Sequence, residues 1–196
     1  MDQYTIFKGK HAAQIYGMAA PAPAIRRGVK NISWTVCFDK NCAYTLPGAD
    51  QRDWNKGGGL SFASALLSKD MFSNHIDAAM WGWRYNPLTG LIELTAYCHI
   101  DGKRPFLKGT MYGEHHAGVD GEVCWELKFG QTARISFQVD RQESRYDFNF
   151  MVVGSNESWP VGVAFTHGKL WSRLIHPWFG GNNAAPHRMD LFMKRS

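Results

Sequence analysis

Arg84, Glu93, Tyr97 and His99 are the residues whose types and spacing first point to chemistry. They fall in AAMWGWRY-NPLTG-LIELTAYCHI (78–100), two strand-like runs joined by a turn. Pro87 presets one turn residue and Gly90 tolerates positive φ there. With Asn86 opposite Leu91, Arg84 lies opposite Glu93. Thr95, Tyr97 and His99 then stand on the same face, because strand side chains alternate with period two. An arginine fork grips a carboxylate or phosphate, and a tyrosine or histidine ring stacks on a planar group. The face therefore reads as a ligand surface or as a solvated face with a cross-strand ion pair worth about 0.2–1 kcal/mol. The register decides, since a slip of one residue exchanges the two faces.

Other polar clusters are weaker. In HIDGKRPFLKG (99–109), Lys103, Arg104 and Lys108 follow an Asp101-Gly102 turn. A solvated hairpin tip explains them more simply than an anion site, with Arg104 kept as a ligand contact. GEHHAGVDGE (113–122) holds Glu114, His115, His116, Asp120 and Glu122. Adjacent histidines on a strand diverge and no i, i+4 pair is present, so a metal is not expected. His115 and His116 are expected as ligand contacts instead, and no cofactor is expected. GGG at 57–59 lacks the Gly-Lys-Ser/Thr of a phosphate loop. It reads as a flexible loop over the sheet, from which Trp54 or Lys56 could touch a ligand.

HPWFGGNNAAPHRMDLF (176–192) reads as a structural corner. Pro177 and Pro186 bound it, Gly180 to Asn183 supply the turn, and Met189, Leu191 and Met193 alternate as a closing strand. His176, Trp178, Asn182 and His187 gather there and are expected to rim the ligand site. No GxSxG elbow or paired His-x-Ser/Thr motif appears, so no catalytic residue is assigned and the reading leans away from an enzyme.

The elements that position these residues are strands. WTVCFD (34–39), ARISFQVD (133–140) and RYDFNFMVV (145–153) alternate apolar and polar residues, while a short helix or turn fits only 59–72. The prediction is an all-β chain: a two-sheet antiparallel β-sandwich of jelly-roll type, with at most one or two short helices, in a single domain over 1–196. Cys37, Cys42, Cys98 and Cys124 match neither a disulfide framework nor a zinc pattern and are expected reduced and mostly buried. Net charge is +5, but the cations are scattered rather than striped, against binding of long nucleic acid. No apolar run reaches the roughly 20 residues needed to span a membrane, and no leader-like segment opens the chain, so it reads as cytoplasmic.

GLSFASALLSKDMFSNHIDAAMWGWRYNPLTGLIELTAYCHIDGKR, HPWFGGNNAAPH and YTIFKGKH together resemble small, largely uncharacterised bacterial and phage-associated β-sandwich proteins of concanavalin-like jelly-roll type. The resemblance implies a ligand-binding fold rather than a reaction. The acidic Glu-x-Asp-x-x-Glu signature of jelly-roll glycosidases has no counterpart here. The resulting expectation is non-catalytic binding or sequestration of a small polar, anionic ligand. A nucleotide-type signal fits, and the resemblance adds a counter-defence role in phage. Alternatives are a carbohydrate-binding module taking an oligosaccharide, a lyase or phosphodiesterase, and a structural phage protein. Exposed strand edges also leave room for a homo-oligomer.

Overall fold

The computed structural model describes residues 1–16, 18–19, 24–66, 68–69, 73–105, 122 and 124–196. His115, His116 and Lys108 lie outside the described residues. An eight-stranded sheet runs in the order β12 (Ser158–Ala164), β11 (Arg145–Val152), β10 (Thr132–Asp140), β5 (Asn31–Phe38), β14 (Met189–Arg195), β1 (Asp2–Ile6), β2 (Gln14–Ile15) and β3 (Met18–Ala19). A six-stranded sheet runs β4 (Ile25–Arg27), β13 (Trp171–Ile175), β6 (Asn55–Ala63), β7 (Ala78–Asn86), β8 (Leu91–His99) and β9 (Trp125–Leu127). Every pairing is antiparallel. The protein is an all-β two-sheet sandwich, as the alternation predicts. Its helical turns include two short 3-10 segments at Lys40–Cys42 and Gly48–Arg52. Of the range 59–72 read as a short helix or turn, 59–63 belong to β6, while the described residues beyond it form a turn, with Ser68 N–H donating to the Ala65 carbonyl and Lys69 in 3-10 geometry.

The core lies between the sheets. Trp34, Val36 and Phe38 from β5, Ile135 and Phe137 from β10, and Tyr146, Phe148 and Phe150 from β11 meet Trp81, Trp83, Ile92 and Leu94. Phe137 sits 5.1 Å from Phe148 and 5.9 Å from Trp34, and Trp125 stacks on Phe150 at 4.3 Å. Such aromatic pairs add about 0.5–1.5 kcal/mol each beyond the area they bury. The four cysteines are free, and Cys42, Cys98 and Cys124 are buried. Among the described residues no helix is long and apolar enough to cross a membrane.

The 78–100 hairpin forms with the anticipated register: Asn86 opposes Leu91, Arg84 opposes Glu93, and Gly90 takes φ 74° in the turn. Of the two readings of its polar face, the solvated one is not met. Met80, Arg84, Glu93, Thr95 and His99 on the outer face are buried, like the inner face. Antiparallel sheets commonly leave one face wet. Here Ala78, Met80 and Ile175 form a second apolar cluster with Tyr97 on the outer side.

The glycine run at 57–59 is also not a flexible loop. It lies within β6, buried throughout, with a bulge between Lys56 and Gly58. A Cβ on Gly57 would lie 2.0 Å from the Trp81 ring, so the absence of a side chain lets that indole approach the strand. The substitution Gly57→Ala is expected to cost about 1–3 kcal/mol or more through overpacking. A fall in the urea midpoint without a change in slope checks this.

Candidate functional site

The outer face of the six-stranded sheet carries a continuous chain of polar and aromatic contacts. At one end Arg84 and Glu93, both under 4% exposed, pair through Nε and Oε2 at 2.5 Å. Arg84 Nη1 also donates to the Arg52 carbonyl at 2.9 Å, and Asn86 Nδ2 donates to Glu93 Oε1 at 2.8 Å. The guanidinium lies 4.1 Å from the Trp54 ring centroid. Arg84 and Glu93 are thus engaged by their own neighbours, and their first role is to hold the hairpin. The cleft beside them, about 210 Å³ and lined by Gln51, Arg52, Asn86 and Leu88, is below the roughly 300–1,000 Å³ of small-molecule sites.

The chain continues toward the other end of the face. Trp54 Nε1 donates to Glu122 Oε2 at 2.8 Å, and the other oxygen of that buried carboxylate accepts from Arg104 Nη2. Arg104 is therefore folded back onto the sheet, not a solvated tip cation. The Asp101-Gly102 turn makes this possible, with φ of 50° and 74° and a bridge from Ile100 to Lys103. Arg104 Cζ lies 4.6 Å from the Tyr97 ring centroid, and Lys56 Nζ lies 5.8 Å from the same centroid. The ring of His99 meets Tyr97 edge-on at 5.4 Å and His75 edge-on at 5.2 Å.

This end holds donors without matching acceptors. His99 is 8% exposed, and neither ring nitrogen has a hydrogen-bond partner; Arg104 Nε is likewise buried without one. Lys56, also 8% exposed, reaches the Gly180 carbonyl at a long 3.4 Å. Burial lowers the Lys56 pKa, opposed by nearby Asp53. Burial, reinforced by His75, Lys56 and Arg104, holds His99 down to about 4, so its imidazole is neutral at pH 7. Burial raises the Tyr97 hydroxyl. An unpartnered buried polar group costs about 1–3 kcal/mol.

The C-terminal stretch is split by the structure. Rather than turning a corner at once, the chain beyond β13 stays beside β6 as far as Trp178, which bridges to Lys56. Phe179 is buried in the core against Tyr44 and Trp83. Trp178, 42% exposed, is stacked on His11 at 5.2 Å. His176 lines a cleft with Tyr4, Trp34 and Met193, in which Tyr97 takes no part. His187 Nε2 bonds the Asn41 carbonyl at 2.9 Å, in a separate polar network around Asp190. Asn182 is exposed, while the neighbouring Asn183 donates to Asp50 at 2.6 Å. Of that stretch's four predicted rim residues, Trp178 is the one placed beside a residue of the outer-face cluster.

The structure thus gathers Tyr97, His99 and Arg104 with Trp54 and Lys56, both named from the sequence, and adds Glu122 and His75. Of these, His75 has no sequence signal, since it comes to His99 from a separate turn. Among the described residues no group of three His, Cys, Asp or Glu side chains is arranged to hold a metal.

Two outcomes are expected. Arg84→Met leaves Glu93 buried without its cation, and should cost about 3–5 kcal/mol, part of which the double variant R84M/E93L recovers. Chemical denaturation of the single and double variants reads this. Second, the folded-state pKa of His99 lies below its ordinary 6.5, so the unfolded chain binds the proton first as pH falls. Stability should be full above about pH 6.5 and decline toward pH 4. The pH dependence of the denaturation midpoint should flatten over that window in His99→Phe.

No known protein family and no curated protein matches the sequence. Among solved structures, the chain is similar to a xylan β-1,4-xylosidase from Bacillus halodurans, with TM-score 0.48 and 8% identity over 94% of this chain and 28% of that one. It is similar to a lectin, UEA-II, complexed with galactose, with TM-score 0.43 and 10% identity over 97% of this chain and 92% of that one. A heptameric SAP-like pentraxin from Limulus polyphemus gives TM-score 0.36 and 8% identity over 98% and 75%. The chain thus spans less than a third of the xylosidase and about nine tenths of the lectin. At these identities no residue's role is carried across.

Proposed function

We propose that the protein binds a small polar, anionic ligand on the outer face of its six-stranded sheet, around Tyr97, without turning it over. The observation that carries this is the neutral, buried His99 with two unengaged ring nitrogens beside Arg104 and Lys56. Three donors around one aromatic ring match the acceptors of a phosphate or carboxylate attached to a ring. A nucleotide-type signal is the finer reading. A neutral saccharide is the second, favoured by the exposed Trp178 indole, because sugar rings pack on such faces.

Titration calorimetry with AMP, a cyclic nucleotide, glucuronate and glucose tests the proposal. One of the charged compounds is expected to bind and to be recovered unchanged after heat release. At about 100 times its Kd it should stabilise the fold by about 2.7 kcal/mol. Arg104→Met should weaken binding tenfold or more. Binding of glucose alone would favour the saccharide reading, chemical change in the recovered ligand would favour an enzyme, and no binding by any compound would refute the site.

A further inference from the structure

Trp178 and Lys56 sit directly opposite each other in a two-bond antiparallel pair: Lys56 N–H donates to the Trp178 carbonyl, and Trp178 N–H to the Lys56 carbonyl, both at 2.8 Å. In such a pair the Cα atoms lie about 5.5 Å apart and the side chains emerge on the same face. Lys56 is on the outer face, since its ammonium approaches Tyr97. The alternation at Trp178 agrees, because the next residue, Phe179, is fully buried in the core. The row continues through Gly82, which pairs with both Lys56 and Thr95. Gly82 puts no side chain on the face, and the Thr95 and Tyr97 side chains close over it, 3.3 Å from where its Cβ would lie.

The neighbouring rings on this face are already covered. Trp54 carries Arg84 and Tyr97 carries Arg104. Trp178 is covered by His11, nearly parallel at 14°, yet stays 42% exposed. One ring surface and one cation are thereby held side by side by backbone hydrogen bonds, not by flexible loops.

Resting on the outer-face reading, we infer that Trp178 and Lys56 form a single recognition unit for a ring that bears an oxyanion: the ring packs on the indole and the oxyanion takes the ammonium. An acidic sugar and a nucleotide share this chemistry. Neutral rings satisfy the indole and leave the ammonium unmatched. Free inorganic anions do the reverse.

The test is calorimetry with glucuronate, glucose, AMP, adenosine and inorganic phosphate on the whole chain, with circular dichroism confirming that each variant folds. Either glucuronate or AMP should bind at least tenfold more tightly than its neutral counterpart, and the one that binds identifies the source. Lys56→Met should erase that preference. Trp178→Ala should weaken the charged ring tenfold or more, Trp178→Phe should retain most of the affinity, and phosphate should respond to Lys56→Met but not to Trp178→Ala. Equal binding of charged and neutral rings, or unchanged affinity in Trp178→Ala, overturns the inference. Should Arg104→Met abolish binding while Trp178→Ala and Lys56→Met do not, the outer-face site stands and this unit falls. If none of the ring compounds binds, both fall.

Discussion

The indole of Trp81 occupies the space that a side chain at Gly57 would need, and the path of β6 past the proposed outer-face site depends on that close approach. The strand bulges between Lys56 and Gly58. On one side of the bulge β6 pairs with β13 from Gly59 onward, and on the other Lys56 pairs with Trp178. Bulges re-aim side chains, and this one leaves Lys56 on the outer face beside Tyr97. Packing inside the sandwich thereby sets which groups meet outside it.

Burial of the outer face gives its charges their character. On a wet sheet the Arg84–Glu93 pair would contribute little and His99 would titrate near its ordinary value. Under cover the pair becomes structurally demanding, because removing either partner strands the other. The same burial keeps His99 neutral, and the Lys56 ammonium reaches its carbonyl partner only at a long distance. One end of the face is therefore satisfied internally, by Glu93, Asn86 and the Arg52 carbonyl, whereas the other keeps donors in reserve. That asymmetry separates the part that holds the hairpin from the part proposed to take a ligand.

Much of the fold was legible in the sequence. The alternation of Trp34, Val36 and Phe38 in β5, and of Ile135, Phe137 and Val139 in β10, marked the inner face. Pro87 and Gly90 set the hairpin register, and with it the shared face of Arg84, Glu93, Tyr97 and His99. The two-sided burial left a trace as well: Ala78 and Met80 are apolar at outward positions, which breaks the alternation expected of a half-wet strand. The glycine run was misleading, because a tryptophan packed against a strand and a flexible loop both require residues without side chains.

Local chemistry by itself determined the strands, the turns and the register, since φ preferences and period-two burial act between near neighbours. Only the tertiary structure decided which residues meet at the proposed site. Lys56 and Trp178 come from distant parts of the chain, and Trp54 and Glu122 are separated by 68 positions. His75 reaches His99 from a separate turn. No local preference encodes such meetings; they follow from which strands pair, where β6 bulges, and which face of the second sheet is covered.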